Sequence, residues 1–214
     1  MAHRDPGAEP ELVPALLPFR ELLGHPLAHG VHVDDAELQT LRESGSAVTH
    51  CPSSNLKLGS GVADVVRLRQ ARVTVGIGAD GAACNNELDG FEEVRLATLL
   101  ARTLRGQGAL TAGDALGMAT REGARALHLE EEIGTLVVGR RADIVVIDSE
   151  RLAGPGGGPV ARIVFGGGSR GVRDVLVDGT FIVRGGAPQL FDPAEVRAKA
   201  AEALPALLQR AQVS

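Results

Sequence analysis

At 214 residues with 44% hydrophobic content, the chain can bury a sizeable core and is not a disordered polymer. A formal charge of −5, with Arg scattered among Asp and Glu, gives no basic stripe for phosphates, and five Phe with no Trp or Tyr give no stacking platform; nucleic acid is therefore not an expected partner. No apolar run approaches the roughly 18 residues that span a bilayer, and the start, Met1 to Gly7, lacks the apolar stretch of a signal peptide, so no membrane contact and a cytoplasmic location are expected, with Cys51 and Cys84 reduced.

The first stretch, residues 1–26, is punctuated by Pro and Gly, and its one apolar segment, Leu12 to Leu23, reads as a helix interrupted at Pro14 and Pro18. From Leu27 short apolar runs alternate with amphipathic ones, the pattern of βαβ units feeding a parallel sheet. Leu27–Val31 reads as a strand. Asp34 or Asp35 then caps a helix with Ala36, Leu38 and Leu41 on its apolar face, ended by Gly45. Ala47–Cys51 is a second strand, Asn55–Gly61 a polar loop, Val62 to Leu68 a helical face, and Val73–Gly78 a third strand leading to Asp80.

Phe91 to about Leu104 predicts a helix with Val94, Leu96, Leu99 and Leu100 inward, and Thr111 to Leu127 predicts another, with Thr111 and Asp114 placed as a capping box. Beyond Leu129 the character turns to β: Gly134–Val137, Ala142–Asp148, and Val172–Val183 with a hairpin turn at Asp178-Gly179. The glycine runs at Gly154–Pro159 and Gly166–Ser169 lack the strand-linked fingerprint of a dinucleotide or phosphate site. Pro193 to Val213 reads as a packing helix interrupted at Pro205.

His29, His50 and Asp80 end three consecutive strands. In a parallel barrel all three reach the rim where βα loops build active sites, and that convergence is what raises them above hydrogen-bonded structural residues. The segments His29-Gly30-Val31-His32, His50-Cys51-Pro52-Ser53-Ser54-Asn55 through Gly61, and Gly78-Ala79-Asp80-Gly81-Ala82-Ala83-Cys84-Asn85-Asn86 resemble the amidohydrolase superfamily. The resemblance is to the branch of methylthioadenosine/S-adenosylhomocysteine deaminases, guanine deaminases and triazine chlorohydrolases. It runs from about Leu27 to Gly186 and includes Ile133 to Leu136 and Gly139 to Val145.

The resemblance implies an α/β fold: a partial (β/α)8 TIM-type barrel, strands six to eight, over 27–130, then a small β-sandwich-like domain over 131–190 and a C-terminal helix over 191–214. It implies that Asp80 ligates a divalent metal, Zn or Fe in the complete enzyme, and moves protons from the attacking water, while His29 steadies that water. His50, Ser54, Asn55, Cys84 and Asn85 are expected to line the pocket for a small heterocyclic substrate, with Ser53 and Asn86 beside them. His32 is expected at the surface, and His25 and His128 to be structural.

Complete members carry a His-x-His pair on strand one, a His on strand five and a nearby Glu, and none of these is matched here; His3 has no apolar strand before it. Asp80 and His29 are too few for a tight zinc site. The chain alone is therefore expected to be inactive and metal-free, and to act with a complementary N-terminal chain or as a homo-oligomer. The competing expectation is a catalytically incomplete remnant or interaction module.

Overall fold

The computed structural model describes residues 24–154 and 157–212. The helix expected over Leu12–Leu23, and His3, lie outside the described residues.

Three short parallel strands, β1 (Pro26–Ala28), β2 (Ala47–His50) and β3 (Thr74–Ile77), form one sheet in that order, with Leu27 opposite Val48, Val48 opposite Val75, and His50 opposite Ile77. Val48 and Val75 are fully buried, as β-branched residues of a sheet covered on both faces should be. β1 stops at Ala28, short of the expected Val31, because His29 and Gly30 turn left-handed at φ 71° and 60°. Glycine is required at the second of these, since a Cβ there would lie 2.7 Å from a Val48 methyl.

Helix α1 (Asp35–Ser44) begins with the expected cap. The Asp34 carboxylate accepts from Glu37 N at 2.8 Å, the Glu37 carboxylate accepts from Asp34 N at 3.0 Å, and Gly45 closes the helix left-handed. Helix α2 (Pro52–Leu58) replaces the expected loop. Pro52 supplies the preset φ of a first helical residue, and Gly59 ends the helix left-handed, so Ser53, Ser54 and Asn55 spend their polarity inward rather than on loop solvation. Helix α3 (Val65–Gln70), capped by Asp64, leads into β3.

Helix α4 (Gly90–Arg105) starts where expected, but its buried face is Glu93, Val94, Ala97, Thr98 and Ala101, while Leu99 is exposed. The expected helix over 111–127 divides into α5 (Ala112–Met118) and α6 (Arg121–Ala126). The Thr111–Asp114 capping box is present; the break falls at Thr120, whose hydroxyl donates back to Leu116 O at 2.8 Å. The break lets α6 lie on β3, with a Cβ built at Gly76 only 3.3 Å from the Gly123 backbone. Leu41, Val48, Val65, Leu68, Val75, Val94, Leu110 and Met118 make one core between these helices and the sheet.

The second part is one four-stranded antiparallel sheet among the described residues, β4 (Ile144–Ile147), β5 (Val172–Val177), β6 (Thr180–Arg184) and β7 (Ala187–Pro188), in sequence order. Its Asp178-Gly179 turn, both residues at positive φ, is the predicted hairpin. Two expectations are corrected here. A second sheet to make a sandwich is not present among the described residues, and Gly134–Val137 forms no strand. The glycine runs precede or open short helices, α7 (Pro159–Phe165) and α8 (Gly168–Gly171), that pack against α4.

Helix α9 (Pro193–Ala211) runs through Pro205 without interruption and buries no residue, so it is not the packing element its sequence suggested. An exposed helix can give the carbonyl freed by proline to water. Among the described residues no helix is long and apolar enough to cross a membrane.

Candidate active-site rim

The three parallel strands deliver their C-terminal ends to one rim, and the ladder continues past them: His29 N donates to Thr49 O at 2.8 Å and Gly78 N to His50 O at 3.0 Å. This places His29 Nε2 3.8 Å from Asp80 Oδ2, with 37% and 29% of the two side chains exposed. Both residues are left-handed, Asp80 at φ 59°. His and Asp tolerate that region better than most side chains, and such backbone costs about 1 kcal/mol or more, a kind of strain that collects at functional sites.

Helix α2 holds both residues. Ser54 Oγ donates to Asp80 Oδ2 at 2.6 Å, and Asn55 Oδ1 meets His29 Nδ1 at 2.8 Å. Gly81 N donates to Asp80 Oδ1 at 2.8 Å. The Ser54 hydroxyl foremost, then the Gly81 amide, keep the Asp80 carboxyl below the usual carboxylate range, so it stands ionised as a proton acceptor. His29, tied at Nδ1, turns Nε2 toward that carboxylate.

His50, expected to line the pocket, is instead buried at 1% exposure, with Nδ1 unpartnered. Burial, reinforced by His29 nearby, pushes its pKa down to about 4, so it is a neutral imidazole at physiological pH. Burial, then the Asp80 and Glu93 carboxylates, push the Cys51 thiol up to about 11, which leaves it protonated and a poor nucleophile.

Cys84 is half-buried and lines a cleft of about 230 Å3 with Ser53, Lys57, Asn85 and Asn86. Asn85 is bound internally at every polar atom: its amide donates to Glu93 Oε1 at 2.8 Å and Ala79 O at 3.1 Å, and its carbonyl accepts from Glu87 N and Leu88 N. Asn85 therefore shapes the loop after β3 and has no donor left for a substrate. Asn55 is likewise buried, with its amide nitrogen unpartnered. His32 is at the surface, while His128 Nε2 meets Gly24 O at 2.5 Å. A second, more apolar cleft of about 470 Å3 lies beside His29, walled by Val31, Leu41 and Leu58.

Glu93 is the residue that sequence reading missed. Its carboxylate accepts from Ser53 N at 3.1 Å, from Ser53 Oγ and from Asn85 Nδ2, at 1% exposure. The signal was present: Glu93 falls on the same helical stripe as Ala97 and Ala101, where a solvated carboxylate does not belong.

Among the described residues, no three His, Cys, Asp or Glu side chains converge to hold a metal ion. Asp80 and His29 offer two donors on one side of the rim, which does not fit a complete divalent-metal site.

Residues 19–182 match the amidohydrolase family. The chain is 41% identical over 187 residues to the 5-methylthioadenosine/S-adenosylhomocysteine deaminase of Haloarcula marismortui, a match that covers 86% of this chain and 43% of the relative. Among solved structures it resembles a zinc-bound adenosine deaminase from Xanthomonas campestris, with a TM-score of 0.79, 35% identity, and coverage of 83% of this chain and 41% of that one. It also resembles the atrazine chlorohydrolase of Arthrobacter aurescens complexed with zinc, with a TM-score of 0.74, 30% identity, and coverage of 83% and 40%. The chain thus spans about two-fifths of the length of the proteins it matches.

Proposed function

The chain belongs to the amidohydrolase family, and on that premise we propose that it forms the C-terminal portion of a metal-dependent hydrolase of C–N bonds. In this reading β1, β2 and β3 are barrel strands six, seven and eight, residues 27–130 are the barrel portion, 131–190 a small β-domain and 191–214 its trailing helix. The substrate is a nitrogen heterocycle, an adenosine- or guanine-type base or a triazine, losing ammonia or an amine by C–N cleavage or, from a halotriazine, a halide by the equivalent carbon–halogen cleavage. The observation that carries the reading is the meeting of His29 and Asp80 at 3.8 Å on one rim, each anchored by its own side chain from α2.

Each residue has work its geometry suits. Asp80, kept ionised by Ser54 and Gly81, accepts a proton from the attacking water and returns it to the leaving nitrogen where ammonia or an amine departs; it would also be this chain's anionic ligand to a zinc or iron ion. His29, held through its Nδ1–H, presents an unprotonated Nε2 that accepts a hydrogen bond from that water and orients it. Asn55 orients His29, and Cys84 walls the substrate side. His50 and Asn85 support the site from within. The remaining metal donors have to come from polypeptide beyond this chain or from a complementary one.

The test is metal analysis together with release of ammonia, or of chloride from a chlorotriazine, on this chain, alone and joined to a polypeptide supplying His-x-His and strand-five ligands, with adenosine, methylthioadenosine, guanine and a chlorotriazine as substrates. Alone it should hold no tight divalent metal and turn nothing over. In the complete enzyme Asp80→Asn should lower turnover by roughly 100-fold or more with the fold intact, and His29→Asn should depress the chemical step without emptying the metal. Near-normal turnover of Asp80→Asn at normal metal content would sink the assignment. The second reading, a non-catalytic interaction module, has the two-donor count in its favour. It predicts that no added ligand-bearing polypeptide restores either metal or turnover.

A further inference from the structure

We propose that Glu93 is the positioning residue of this rim: from α4 it fixes Ser53 and Asn85, and through them the geometry of His29 and Asp80. The inference rests on the reading of the rim as the catalytic edge of a hydrolase, but its geometry stands by itself. Glu93 is all but fully buried on a helix face otherwise made of Val94, Ala97, Thr98 and Ala101. A carboxylate there is costly unless its oxygens are satisfied. Three donors satisfy them, and they come from the two segments that frame the site.

From α2 comes Ser53, by backbone N–H and hydroxyl. The next two residues of that helix are Ser54 and Asn55, which hold Asp80 and His29. From the loop after β3 comes Asn85, whose amide nitrogen is shared between Glu93 and the carbonyl of Ala79, the residue before Asp80. Glu93 thus grips the helix that aims both side chains and the loop that carries one of them. All three contacts ask it only to accept. A glutamine in its place would set an amide N–H against one of those donors and release one wall of the rim.

The consequence can be read at His29 without any turnover. Its Nδ1 donates to Asn55 Oδ1, so the neutral ring should be held mainly as the Nδ1–H tautomer. In the full chain carrying 15N-labelled histidine, with His29→Asn to assign the signal, Glu93→Gln should shift the His29 ring away from Nδ1–H. Ser53→Ala, which removes one of the three contacts, should shift it part of the way. Val94→Ala truncates the core one residue along the same helix and should lower stability while leaving the tautomer unchanged.

An unmoved His29 ring in both Glu93→Gln and Ser53→Ala overturns the proposal, as does an equal shift in Val94→Ala, which would mean general loosening. Should Glu93→Gln fail to fold, Ser53→Ala decides alone. In a complete enzyme the same loss of aim should lower kcat by about tenfold or more, with a smaller change in KM. A ring that responds in a chain that never yields turnover keeps Glu93 as the positioning residue and removes only the hydrolase reading.

Discussion

Val48 and Val145 each hold the second position of a four-residue strand, yet Val48 in β2 is fully buried while Val145 in β4 is 48% exposed. The contrast extends to the regions around them. The parallel sheet is wrapped by α3, α4 and α6 and carries a continuous core; the antiparallel sheet contributes no fully buried strand residue, and Leu136, Val138, Leu190 and Phe191 stand exposed near it in sequence. Identical β-branched residues are therefore worth different amounts, because burial and not strand propensity supplies most of the stabilisation. The candidate site lies on the well-buried region, where strained φ values at His29 and Asp80 can be held in place.

The sharpest way to break this comparison is to put the same charge at the two valines. Val48→Asp buries an unpaired carboxylate and should cost about 3–5 kcal/mol or prevent folding, whereas Val145→Asp should cost about 1 kcal/mol or less, mostly lost strand preference. Urea midpoints of the two variants check it. Equal losses would mean that the β4–β7 sheet is as deeply packed as the parallel one.

Acid gives the next largest contrast. His50 belongs to the first region, and no histidine follows His128, so the second region has no counterpart. Its folded pKa of about 4 lies below the ordinary 6.5, because burial and then His29 disfavour the imidazolium. Between those values the unfolded chain takes up a proton that the folded chain refuses. The stabilisation is complete above pH about 6.5 and fades as pH falls toward 4, by about 3 kcal/mol in all. Hydrogen exchange at decreasing pH should loosen β1–β3 before β4–β7, and His50→Asn should flatten that part of the profile. An unchanged slope in the variant would assign the acid response to other groups.

The same contrast explains how much could be read from sequence. Ala47–His50 and Val73–Gly78 announce strands because their apolar runs are buried on both faces, and Asp34, Thr111 with Asp114, and Asp178-Gly179 act through local hydrogen bonds or φ values that their own side chains dictate. His29 and Asp80 were legible as strand-end titratable groups. Helix α2 was not, because Ser-Ser-Asn favours turns until Pro52 and Gly59 bracket it and Glu93 and Asp80 take up its polar groups. The burial of His50 was hidden too, since a residue at a strand end can point to the rim or to the interior. Gly134–Val137 has strand composition but gains no pairing partner, and composition alone cannot supply one.

The smallest expected effect compares two helix caps of the same chemistry. Asp34 accepts from Glu37 N at the start of α1, and Asp192 from Ala194 N at 2.8 Å at the start of α9. Each replacement by alanine removes one cap, ordinarily worth about 1 kcal/mol of helix stability. In α1 that loss is transmitted, because Leu41 ties the helix to Val48 and the rest of the core, so Asp34→Ala should lower the global urea midpoint by the equivalent of about 1 kcal/mol. Helix α9 buries nothing, so its fraying is not coupled to the cooperative transition. Asp192→Ala should therefore leave the midpoint unchanged while reducing far-UV helical signal before the main transition begins. A matched fall in midpoint from Asp192→Ala would show that α9 is coupled to the fold through contacts that its exposed surface does not reveal.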